Sequence, residues 1–451
     1  MSTIIPLLSV QQFNSMINNT ITYLKNNRIV LLAFLPPILL LLILFRFGVN
    51  VPFWDQWEFV VIWQKFHQGT LGFADFWVQH NEHRILLPRI LMFLSGLATN
   101  WNVKFELYIS FIISLASFLL IIKLLQNSAV LVKNKGTILL VSISFLFFSL
   151  VQYGNWLWGW QIQWFLSVFG LLLVIWSLYR YKIENIYFLL AIAGGFIATY
   201  SLGNGLLAFG VGVALLLMLN KKRLAFLYAL ISIPVIGIHF IGYHRPEQSI
   251  SIKYTVLHIH EFIDYVFTYL GGSMSPNLES AKYTGVIILC MFVASIILVY
   301  QRKTTLLKMY PWLVLAGYAI LSAVITGMSR LTFGGATQAY SSRYTTISIL
   351  FVIGTVVSIY IAIYQSQSRS NLERYLLNIF CLIYFVLIGI GYTKSINEIR
   401  FYKNHLIQVK LCSSMQIPTS ECLTSLYPVE NIINERLEYI KNNRYGGYKA
   451  P

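Results

Sequence analysis

The stretch WVQHNEHRILLPR, residues 77–89, crowds His80, Glu82, His83, Arg84 and Arg89 together in a chain that is 57% hydrophobic and 11% charged. Imidazoles beside a carboxylate can move protons, hold a divalent cation or bind a polar substrate. Zinc motifs on helices read H-E-x-x-H or H-x-x-E-H. Here the order is H-x-E-H, so a metal site would need His80, His83 and a carboxylate from elsewhere in the chain. A second carboxylate, Asp55, stands in FWDQW among aromatic rings, where partial desolvation raises basicity. It also precedes an amphipathic stretch, with Glu58 three residues on, which fits the capping box of a helix start. Asp55 and Glu82 are the candidate general bases, and Arg84 is placed to pair with Glu82.

Two further stretches could bind substrate. SRLTFGGATQAYSSR, residues 329–343, contains Arg330 and Arg343 and no acid. Guanidinium groups free of acids suit a phosphate or pyrophosphate, gripped by two parallel hydrogen bonds; snorkelling toward lipid headgroups is the plainer use. GNWLWGWQIQW, residues 154–164, carries Trp156, Trp158, Trp160 and Trp164 beside Asn155, Gln161 and Gln163. Indoles gather at membrane interfaces, and their faces with neighbouring amides also suit sugar rings. Tyr200 and Asn204, in TYSLGNG, should reach the same level. The candidate substrate-binding set is His80, His83, Arg84, Trp158, Tyr200, Arg330 and Arg343.

These residues need a scaffold, and the composition points to one. Soluble chains carry about 25% charged residues, so this chain reads as an all-α polytopic bundle in a membrane. With roughly 20 apolar residues per span, about eleven runs qualify, near 29–49, 104–125, 137–153, 160–180, 185–201, 204–220, 224–243, 281–300, 310–328, 344–364 and 375–392. The first follows a polar segment and reads as an uncleaved signal-anchor. Residues 56–68 set Phe59, Ile62, Trp63 and Phe66 at helical spacing, as in a helix lying in the interface. Pro88 opens a second short helix.

The net charge is +17. Lys133 and Lys135, Lys221 to Arg223, and Arg302 and Lys303 all fall in alternate connections, opposed there only by Glu184 and Glu373. That asymmetry is the positive-inside signal, so the basic excess implies no nucleic-acid partner. It places the N-terminus in the cytoplasm and the C-terminus outside. Three parts follow: a cytoplasmic segment 1–28, a transmembrane domain 29–392 with long outer loops 50–103, 244–281 and 329–343, and an outer tail 393–451. The tail holds Cys412 and Cys422, which an oxidising compartment would bridge. The cytoplasmic connections are too short for a nucleotide-binding domain and contain no phosphate loop.

A cytoplasmic N-terminus, one span, a long outer loop with a carboxylate just past that span, interface helices and a late outer loop bearing arginine together form a layout. It resembles the GT-C class of integral membrane glycosyltransferases, and is similar in size to bacterial O-antigen serotype-converting glucosyltransferases. The resemblance covers the whole chain as architecture. It implies a polyprenyl-phosphate sugar donor, a glycan or lipid-linked acceptor, membrane lipids around the bundle, and chemistry at the outer face of the bacterial inner membrane. It implies Asp55 as catalytic base, with Gln56 where the family commonly sets a second acid. No organic cofactor is implied; a divalent cation at His80 and His83 is the one cofactor the residues could hold. A polysaccharide polymerase or ligase shares this layout. A lipid or polysaccharide transporter would keep ionisable groups inside its spans, whereas here they gather in the loops.

The sidedness is testable by itself. A cysteine introduced at Gly72 should react with an impermeant maleimide added outside intact cells, and one at Asn134 should not; equal reaction at both overturns the orientation.

Overall fold

The computed structural model describes residues 28–132, 136–180, 185–246, 252–302, 306–364, 371–415 and 417–448. The N-terminal segment up to residue 27, Lys133, Lys135, Glu184 and Lys303 lie outside the described residues. What is described is all-helical, at 82% helix without strands.

The helices that build the bundle are α1 (Leu35–Phe47), α2 (Val60–His67), α3 (Leu86–Thr99), α4 (Lys104–Asn127), α5 (Thr137–Phe147), α6 (Ile162–Arg180), α7 (Asn185–Thr199) and α8 (Leu207–Met218). They continue with α9 (Lys222–Phe240), α10 (Ile259–Gly271), α11 (Leu278–Arg302), α12 (Leu306–Arg330), α13 (Thr345–Tyr364), α14 (Asn371–Ser413) and α15 (Glu430–Asn442). Among the described residues, 7 helices are long and apolar enough to cross a membrane, those built on α4, α5, α6, α9, α11, α12 and α13. Expected stretches 29–49, 185–201 and 204–220 form apolar helices of 10–17 residues, short for an upright crossing. The last stretch, 375–392, falls inside α14, which runs 43 residues into the polar tail without a break at 393.

Helices α6 and α13 are enclosed by their neighbours, while α9 and α11 turn most of their apolar surface outward. Lipid is as apolar as leucine, so helices in a bilayer associate by close packing rather than by burial from water. The α6–α7 contact shows how. A Cβ at Gly170 would lie 2.5 Å from the carbonyl oxygen of Gly194 and 2.6 Å from the amide of Ala198. Gly194 and Ala198 are four residues apart, so small residues line one face of α7 where the two backbones meet.

A second apolar cluster joins parts that lie far apart in sequence. Trp57, Val60, Trp63 and Trp101 from the 50–103 segment pack with Leu406 and Val409 of α14 and with Ile433, Leu437 and Ile440 of α15. His67 is hydrogen-bonded to the hydroxyls of Tyr439 (2.6 Å) and Tyr445 (3.0 Å). Cys412 and Cys422 are disulfide-bonded and close the turn that leads out of α14. Phe59, Ile62 and Trp63 face the core as the spacing predicts, and Phe66 is left 40% exposed.

The helix start near Asp55 differs from expectation. The helical turn is Trp54–Phe59, and Gln56 rather than Glu58 reaches back, accepting the Phe53 amide at 3.2 Å. Asp55 is therefore no cap: it lies inside the first turn, which frees its carboxylate for other partners.

Gly170→Ala should lower the thermal midpoint of the solubilised protein by the equivalent of about 1–3 kcal/mol, as overpacking does. Gly210→Ala in α8, with nothing within 4 Å of the added methyl, should leave it unchanged.

Candidate functional site

His80-Asn81-Glu82-His83 is the tip of a tight turn. The amides and carbonyls of His80 and His83 exchange two hydrogen bonds, 2.9 and 2.8 Å long. Asn81 sits at φ +47°, a conformation asparagine tolerates better than most residues. The turn is held by the arginine that follows it. Arg84 is buried and donates to the carbonyls of Trp77 (2.9 Å), His239 (2.5 Å) and Ile241. The His239 and Ile241 carbonyls end α9 and lack helical partners, and a guanidinium satisfies them while complementing the helix dipole. Arg89 does the same for Phe76 and Val78. Arg84 is thus a tie between the turn and the bundle rather than a substrate ligand, and it does not pair with Glu82.

A cavity of about 330 Å³ opens beside the turn. Its walls come from one end of the bundle: the starts of α6 and α13, the ends of α9 and α12, the α7–α8 connection, and residues 55 and 80–83. It brings together Asp55, His80, Glu82, His83, Arg330 and Arg343.

The charges are arranged in pairs. His80 sits between two carboxylates, with Glu58 Oε2 at 3.2 Å and Asp55 Oδ2 at 3.6 Å. Burial pushes its pKa down, but the hydrogen bonds and charges of Asp55 and Glu58 outweigh burial and raise it to about 9. His80 is therefore an imidazolium at neutral pH. His83 is the opposite case: burial lowers it to about 4 and keeps it neutral. Its Nδ1 accepts the Gly203 amide at 3.0 Å, which leaves the proton on Nε2, 3.8 Å from Glu82. Glu82 is bound by Arg330, whose Nε donates at 2.8 Å while Nη2 reaches both carboxylate oxygens. Burial pushes Glu82 up, but the charge of His83, which titrates in the same acid range, and the charge and hydrogen bonds of Arg330 together hold its carboxyl below the ordinary range. Arg343 also lines the cavity, and its guanidinium has no hydrogen bond or ion pair with a described residue. Of the two arginines expected to be free, Arg330 is thus paired and Arg343 has no acid partner among the described residues.

Three more expectations need correction. Trp158 is buried, with its indole N–H given to the Phe53 carbonyl at 3.0 Å, so it braces the Asp55 turn; Trp160 and Trp164 line the cavity instead. Tyr200 is buried beneath Trp77 and donates to the Val235 carbonyl at 2.8 Å. His80 and His83 serve separate partners, and no cluster of three or more metal-ligating groups occurs among the described residues. One contributor escaped the sequence reading. Glu106, buried in α4, accepts Gln56 Nε2 at 2.6 Å and so anchors the turn that presents Asp55. A lone acid in the apolar run KFELYIS was its only signal.

No protein-family model, no curated protein and no solved structure matches the chain.

The His80 cluster predicts a pH dependence. Its folded pKa lies above the ordinary 6.5, so the folded state binds the proton more tightly. That stabilisation is complete below about 6.5 and is lost as pH rises through about 9. The thermal midpoint should fall across this interval by the equivalent of about 2–3 kcal/mol, and His80→Asn should flatten the profile.

Proposed function

We propose that the chain is a membrane glycosyltransferase that moves a sugar from a polyprenyl-phosphate donor to a lipid-linked or cell-surface glycan acceptor. One observation carries this reading. A single cavity holds a carboxylate beside an imidazolium, Asp55 with His80, together with Arg343, a guanidinium with no acid partner among the described residues. The first suits proton removal from a hydroxyl, and the second suits a phosphate. The cavity lies at the end of the bundle opposite the basic cluster Lys221 to Arg223. By the positive-inside rule this is the outer face, where a lipid-linked donor takes the place of a cytosolic nucleotide sugar.

The mechanism is direct displacement. Asp55 takes the proton of the acceptor hydroxyl as that oxygen forms its bond to the anomeric carbon. The bond from the anomeric carbon to the phosphate oxygen breaks, and its electron pair leaves with the phosphate, countered by Arg343. Glu82 is engaged by Arg330 at both oxygens, which lowers its proton affinity and makes it the poorer base. Its part is to fix Arg330 against the cavity wall.

Asp55→Asn should give a folded protein whose transfer of radiolabelled sugar from polyprenyl-phosphate hexoses is slowed 10²–10⁴-fold, the usual effect of removing a general base. Arg343→Lys keeps the charge and loses the forked hydrogen bonding, so activity should drop while the thermal midpoint holds. Full activity in Asp55→Asn removes the base from this position. Absence of transfer by the wild-type protein from any such donor sinks the proposal as a whole.

A further inference from the structure

The strip Trp160, Gln161, Gln163 and Trp164 lines the cavity and enters no charge relationship described above. Its side chains are nearly fully buried, at 2, 2, 5 and 7% exposure. Even so, the Trp160 indole N–H and the carbonyl oxygens of Gln161 and Gln163 have no hydrogen-bond partner among the described residues. Neither glutamine amide bonds to a described residue at all. A buried polar group left unpaired is costly. Those three atoms are sealed from solvent, and the Gln161 and Gln163 amide nitrogens beside them, also without a described partner, are the groups the cavity offers to a ligand.

The position of the strip says what arrives. At one end the Trp160 ring meets His80, with centroids 5.1 Å apart, next to Asp55. At the other end Trp164 meets Tyr344, at 5.8 Å, next to Arg343. Trp160 lies in the 3-10 turn Gly159–Gln161 and Trp164 in the first turn of α6, so the two indoles are carried on consecutive turns of the chain. The strip therefore spans the gap between the base and the phosphate-binding guanidinium. It offers two indoles and two amides and no charge.

We propose that this strip is the subsite for the transferred sugar and that it selects an uncharged pyranose, a hexose or N-acetylhexosamine, over a uronic acid or an amino sugar. The indoles cover the apolar C–H faces, and the amides of Gln161 and Gln163 take up ring hydroxyls. This inference rests on the glycosyltransferase reading for what the sugar does, and on the unpaired amides for where it binds.

The test is a saturation-transfer NMR titration of the full chain in lipid nanodiscs with four probes: methyl glucoside, methyl N-acetylglucosaminide, methyl glucuronoside and methyl glucosaminide. The two uncharged glycosides should bind best. Gln161→Leu and Gln163→Leu should each weaken them about tenfold. Gln163→Glu, which cannot fail by leaving the site too apolar, should shift preference to the cationic glucosaminide. Tighter binding of a charged glycoside to the wild type, unchanged binding in both Leu variants, or no binding of any probe overturns the subsite. The two proposals separate cleanly. Selective glycoside binding without transfer leaves the subsite standing and removes the catalysis, whereas wild-type transfer with Leu variants that bind and react normally removes only the subsite.

Discussion

The site depends on one buried cation. Arg84 gives its guanidinium N–H groups to the carbonyls of Trp77, His239 and Ile241. Two of these carbonyls end α9, where the helix itself offers them no partner. A charge covered from solvent in this way is tolerable because its donors are spent on acceptors. The same bonds fix the turn 80–83 to the bundle. Together with the paired hydrogen bonds between Gln79 and His244, that tie places His80 against Asp55, Glu82 against Arg330 and His83 against Gly203.

Once the turn is held, the electrostatics around it are nearly self-satisfied. The imidazolium of His80 lies between Asp55 and Glu58, and Arg330 is taken by Glu82. His83 stays neutral because burial outweighs every favourable charge near it. Close pairing of this kind keeps ionised groups in a largely buried site without leaving a charge uncompensated. Arg343 has no acid partner among the described residues, and such a cation beside a cavity is a place for an anion to bind. The unpaired amides of Gln161 and Gln163 are the neutral counterpart of that cation.

The 50–103 segment and the tail form a single layer over this end of the bundle. Trp63 packs on Tyr445 with centroids 5.1 Å apart, and His67 is held by two tyrosines of the tail. Asp55 is therefore braced from three sides: by Trp158 and Gln56 at its own turn, by Glu106 beneath, and by the tail cluster that buries Trp57. Such bracing fixes the position of the carboxylate, and the proposed proton transfer would gain from it, because reacting geometry is lost with small displacements.

Composition and periodicity alone determined the all-helical class, the apolar helices, the amphipathic stretch 56–68 and the stretch where polar groups converge. Those properties follow from local spacing, since a helix buries a face set every three to four residues. They also picked out Asp55, His80, Glu82, His83, Arg330 and Arg343, which do share one cavity. The use each group makes of its chemistry was decided by the tertiary structure. A guanidinium can serve a carbonyl, a carboxylate or a phosphate, and nothing in HNEHR distinguishes these. Arg84 meets a carbonyl 155 positions away, and Arg330 meets a carboxylate 248 positions away. Trp158 and Trp160 differ by two residues, yet one braces a backbone turn and the other lines the cavity. Hydrogen bonds are made to whatever lies within about 3 Å, and which groups come that close is set by how the helices pack, not by their order along the chain.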